Sequence, residues 1–125
     1  MTVLYLLINP MPFSILFLIK TDPRKSLRPS EAIRMAVGLG TNKNPLSIIL
    51  MGKAIHLLNF ETEDLEDLET VERYLPILEE WKIPIYIEEG SLKEINTDGH
   101  HFELKGLSTE EMSRRLAQTD RIFVF

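Results

Sequence analysis

The sequence predicts an α/β domain: a mostly parallel five-stranded sheet in a three-layer α/β/α sandwich. Three observations carry this. Short apolar runs alternate with helical stretches along the chain, which is the pattern of parallel strands joined by crossovers. The runs F-S-I-L-F-L-I-K (13–20) and L-S-I-I-L-M (46–51) are apolar on both faces, as strands buried between two helix layers are. The chain has 125 residues, 44% apolar and 26% charged, which suits one core. Two parts are expected: an N-terminal arm or extra edge strand over 1–12, and a single domain over 13–125.

Val3 to Ile8 and Phe13 to Ile19 are nearly uninterrupted apolar runs, separated by Asn9, Pro10 and Pro12. A membrane-spanning helix needs ~20 continuous apolar residues, and prolines at its centre would leave backbone groups unpaired in lipid. No membrane association is therefore expected. Neither a basic region nor a small-residue cleavage site accompanies the first run, so no signal peptide is expected. Met11 is a second candidate start, under which the residues before it are an artefact.

Phe13 to Lys20 is the first central strand, broken by Thr21, Asp22 and Pro23. A helix follows over 27–39, with Ile33, Met35, Val37 and Leu39 interleaved with Ala32 and Ala36 and glycines at its end. The second strand, 46–51, stops at Gly52, and a short helix spans 53–58. Leu65, Leu68, Val71, Leu75 and Leu78 recur at steps of three and four, one stripe of a helix. Pro76 falls inside it and predicts a kink or a split. Pro84 to Ile87 is a third strand opening on a proline, Asn96 to Gly99 a turn, and 101–105 a short edge strand. Ser108 and Glu111 form a capping box for the last helix, with Leu107 stapled onto Met112. A strand over 122–125 ends the chain.

Ligands of such sheets collect beyond the carboxyl ends of the strands, here at Thr21 and Asp22, at Gly52 and Lys53, and from Glu88 through Glu89 to Ser91. A net charge of −5 with scattered Lys and Arg speaks against nucleic acid. His56, His100 and His101 are the only histidines and lack the convergent spacing of a zinc site, so no metal and no cofactor are expected. The phosphate-loop pattern around Lys53 and the serine-nucleophile turn are both absent. Glu88 and Glu89 are neighbours on a strand and point to opposite faces. The chain contains no cysteine, which rules out thiol chemistry and suits a reducing, cytoplasmic location.

The strand F-S-I-L-F-L-I-K with T-D-P after it, I-I-L-M-G-K-A-I-H-L-L-N, I-P-I-Y-I-E-E-G-S-L and the ending L-A-Q-T-D-R-I-F-V-F stand in order from Phe13 to Phe125. Together they resemble the DsrE/DsrF family of small sulfur-relay proteins, the Tus and YchN-type proteins. The resemblance implies a DsrEFH-like, flavodoxin-like architecture. In carrier members a cysteine follows the third strand and passes sulfur on as a persulfide. Laid over this chain, the family's cysteine positions are Glu88 and Ser91, and neither can hold a persulfide.

The resemblance therefore implies a non-carrier member. Its expected partners are copies of itself, as dimer, trimer or hexamer, or cysteine-bearing DsrE-like subunits. Ile55, His56, Leu57 and Phe60 are the expected interface. The alternative is a binding module for a small anion or metabolite at the strand ends, using Thr21, Asp22, Gly52, Lys53 and Glu89. An enzyme with Glu88 as base ranks last, because no second catalytic group stands beside it.

Overall fold

A computed structural model describes residues 13–40, 44–59 and 64–125. The expectations for 1–12 and for Phe60 lie outside these residues. The strands are β1 (Ile15–Ile19), β2 (Leu46–Leu50), β3 (Pro84–Glu88), β4 (Glu103–Leu107) and β5 (Arg121–Val124). The helices are α1 (Arg28–Gly40), α2 (Leu68–Glu80) and α3 (Thr109–Gln118), with two 3-10 helices at Gly52–Leu57 and Glu89–Glu94. The sheet runs β4-β3-β2-β1-β5, and each neighbouring pair is parallel.

Alternation along the strands divides the core between two faces. One face carries Ile15, Phe17 and Ile19 of β1, Ile48 and Leu50 of β2, and Ile85 and Ile87 of β3, packed against Ala32, Ile33 and Ala36 of α1 and Val71, Leu75 and Leu78 of α2. The other face has a smaller cluster, Leu16, Ile49 and Leu107 of the sheet with Met112 at the start of α3. Helices on both faces make the three-layer sandwich. The Ser108 hydroxyl accepts the Glu111 N–H at 3.2 Å while the Glu111 carboxylate accepts the Ser108 N–H at 3.2 Å, so the capping box closes. These bonds hold the Glu111 carboxyl below its usual range. Leu107 and Met112 pack in one cluster, as a staple requires.

Two features depart from the expectations. Pro76 sits inside an unbroken α2; it is solvent-facing, and the Glu72 residue whose carbonyl loses a partner is exposed too, so water can satisfy that group. β4 lies two residues later than expected and includes Gly106, a residue type depleted in strands. The short helix expected after β2 is present, as a 3-10 helix over Gly52–Leu57. A second 3-10 helix follows β3, in a stretch to which the sequence assigns no element. α2 ends in a Schellman motif in which Lys82, at φ 55°, takes the left-handed position usual for glycine, with Ile83 N–H donating to the Leu78 carbonyl at 3.1 Å.

Candidate functional site

β1, β2 and β3 are adjacent and in register, Ile19 opposite Leu50 and Leu50 opposite Ile87, so their carboxyl ends open side by side. This sets the three predicted positions along one rim of the sheet.

At the β1 exit Asp22 faces its own loop. One carboxylate oxygen accepts the Arg24 backbone N–H at 3.0 Å and Nε–H at 3.0 Å, and the other accepts Nη2–H at 2.9 Å. The guanidinium grip holds the Asp22 carboxyl down at about 2. Asp22 is thus ionised and paired. The adjacent Thr21 Oγ1 is buried and makes no hydrogen bond among the described residues. A buried hydroxyl without a partner is costly, and Thr21 Oγ1 is the one buried side-chain polar atom without a partner among the described residues.

At the β2 exit the backbone turns at Gly52, φ 56°, a conformation that favours glycine. The Gly52 N–H donates to Glu88 Oε1 at 3.1 Å. This bond ties the β2 exit to the β3 exit and commits the Glu88 carboxylate to a backbone donor. Lys53 is exposed at the start of the 3-10 helix. His56 is half-buried; burial lowers its pKa, the charges of Arg24 and Lys53 add to this, and Asp22 and Asp64 oppose it.

At the β3 exit Glu89 is exposed and opens the second 3-10 helix, on which Ser91 is half-buried. This helix sits on β4 because Gly106 has no side chain: a Cβ there would lie 2.8 Å from the Glu89 Cα and 3.0 Å from Leu92 Cδ1. Sequence reasoning missed Gly106 because nothing local to it reports what packs above it. It also missed Arg24, although the T-D-P-R string carried the signal: an Asp side chain accepts its own backbone two residues on.

The expected interface resolves differently. Ile55 and Leu57 are 5% and 2% exposed and belong to the main core, so they face inward. His56 alone of the described members is partly open to solvent. Elsewhere, a mostly apolar cavity of about 380 Å³ is lined by Leu57, Leu65, Val71, Leu75, His100 and Phe102. At its rim His100 Nδ1 lies 3.0 Å from Glu79 Oε2, which also accepts the His101 N–H at 3.1 Å. Among the described residues no three His, Asp or Glu side chains converge as metal ligands, and no helix is long and apolar enough to cross a membrane.

Chemically the rim offers an ionised, paired aspartate, a glutamate bonded to backbone and a buried hydroxyl. No family profile and no curated protein matches the chain. A solved structure does: the YchN protein from E. coli aligns over 92% of this chain and 100% of its own, with a TM-score of 0.73 and 18% sequence identity. The five-stranded parallel sheet flanked by helices is therefore the fold of that protein.

Proposed function

We propose that this chain is a non-carrier protein of the DsrE/DsrF-like kind, an oligomeric assembly or accessory subunit in or beside a sulfur relay. Its likeness in fold to YchN supports the kinship that the ordered sequence strings suggest. The observation that carries the non-carrier part is the bond from Gly52 N–H to Glu88. At the strand exit where carrier relatives bear a thiol, this chain has a carboxylate joining two strand ends, and it has no cysteine anywhere. Without a thiolate there is no nucleophile for sulfane sulfur. What remains for such a protein is contact with copies of itself or with cysteine-bearing relatives, in the cytoplasm where such relays run.

Light scattering coupled to size-exclusion chromatography tests the assembly claim on the full chain. A stable oligomer, or a cysteine-bearing partner of the same fold co-purifying from the native host, supports it. A strict monomer at high concentration with no such partner overturns it.

A second reading, a binding module for a small anion or metabolite, is favoured by the unused Thr21 hydroxyl. Against an anion at the β2 exit, the amide a ligand would use there already serves Glu88. Thermal-shift screening against phosphate, nucleotides and sulfur oxyanions separates the readings, since a bound ligand raises the melting temperature by mass action.

A further inference from the structure

The outer edge of β5 is an apolar strand with no neighbouring strand among the described residues; the Arg28 guanidinium reaches it, its Nη2–H donating to the Val124 carbonyl at 3.3 Å. Ile122, Phe123 and Val124 are 39%, 37% and 53% exposed. β5 pairs with β1 through Arg121 and Phe125, whose N–H groups donate to the Ser14 and Leu18 carbonyls. By the alternation of a parallel ladder, the N–H groups of Ile122 and Val124 point away from β1. An apolar edge whose outward N–H groups meet no neighbouring strand invites one. The opposite edge is unlike it: β4 exposes Glu103 and Lys105 and is overlaid by the second 3-10 helix at Gly106.

The geometry of the first described residues says what reaches β5. Ser14 N–H donates to Asp120 Oδ2 at 2.9 Å, and Asp120 N–H donates to Ser14 Oγ at 3.0 Å, which laces the start of β1 to the start of β5. The Arg121 guanidinium lies 5.1 Å over the Phe13 ring. On the other side the Phe13 N–H donates to Asn44 Oδ1 at 3.1 Å, so the start of β1 is tied to both neighbours, and of the two sheet edges β5 is the nearer, next to β1, whereas β4 lies beyond β2 and β3. The fold match takes in all of the YchN chain but 92% of this one, so this chain has residues without a counterpart there.

We propose that Val3 to Ile8 of this chain covers the outer edge of β5 as a sixth strand, antiparallel to it. The lengths fit. Six extended residues span roughly 20 Å and four span roughly 13 Å, so the run is long enough for β5. Residues 9–12, N-P-M-P, reach at most ~14 Å, and the outer position is two strand spacings, ~10 Å, from β1. A reversal in that linker sets the antiparallel direction. The chemistry fits as well. V-L-Y-L-L-I is apolar on both faces, and so is β5, with Ile122 and Val124 on one side and Phe123, stacked on Phe17 at 5.3 Å, on the other.

Hydrogen exchange of the Ile122 and Val124 amides in the full chain tests this. Both should exchange at least about tenfold more slowly than in full-length Leu6→Pro, at a rate independent of protein concentration. Equal rates in the two proteins overturn the proposal. So does protection that disappears on dilution, which would mean that a second copy covers the edge. Should Leu6→Pro fail to fold, the absence of native cysteine makes crosslinking decisive. Leu6→Cys or Leu7→Cys, each combined with Ile122→Cys or Val124→Cys, should yield a disulfide within one chain. Disulfides only between chains, or none, overturn it.

Discussion

The exits of β1 and β3 lie on the same rim of the sheet, yet they are built oppositely. At β3 the Glu88 carboxylate is used within the fold: it accepts the Gly52 N–H, and the 3-10 helix that follows rests on the bare Cα of Gly106. At β1 the carboxylate is satisfied by Arg24, but the neighbouring Thr21 hydroxyl is buried and unused. The difference teaches where chemistry has room. The β3 exit is a structural joint, and an unsatisfied buried hydroxyl stands two strands away at β1.

The sharpest way to break this comparison is Gly106→Ala. The new Cβ would press on Glu89 backbone, which cannot swing aside as a side-chain tip can. Overpacking of this sort costs about 1–3 kcal/mol, read from the denaturation midpoint. An unchanged midpoint would mean that the helix after β3 is not seated on the strand.

The Asp22–Arg24 grip is tested by pH. The carboxyl is held down from 3.8 to about 2, so its contribution to stability is whole above 3.8 and is lost as pH falls towards 2. Asp22→Asn should lower stability at neutral pH and flatten the decline between those two values. Parallel acid limbs for the two proteins would show that the pair adds nothing.

Thr21→Val sharpens the contrast between the exits. Replacing a buried, unsatisfied hydroxyl by a methyl of like shape should be neutral or stabilise by up to about 1 kcal/mol in the free protein. A clear loss of stability would reveal a hydrogen bond at Thr21 in solution. The smallest effect is expected of Glu88→Ala, which removes one partly solvated bond and should cost about 0.5 kcal/mol, against almost nothing for Glu88→Gln, which keeps the acceptor. Equal losses for both would show that charge, not the bond to Gly52, is what matters.

How much of this was legible in the sequence follows from the range of each signal. The capping box at Ser108 and Glu111, the staple from Leu107 to Met112, and the apolar runs of β1 and β2 are local patterns, and the structure contains them. Pro76 misled because the cost of a proline depends on whether the freed carbonyl meets water, a fact of position that the local string does not carry. Ile55 and Leu57 read as surface because a short apolar turn looks alike whether it packs inward or outward. The joint from Glu88 to Gly52 spans 36 residues and the seat of Glu89 on Gly106 spans two elements, so neither shows in any local string. The Asp22–Arg24 pair is the opposite case, a two-residue Asx contact that was readable in T-D-P-R.

Intact-mass spectrometry after exposure to a persulfide donor measures the central claim directly, with Glu88→Cys run beside the native chain. The native protein should gain no sulfur and remain unchanged on cyanide treatment. The variant, with a thiol placed at the β3 exit, should gain one cyanide-labile sulfur. Sulfur held covalently by the native chain, or a cysteine at position 88 that stays inert, would contradict the account.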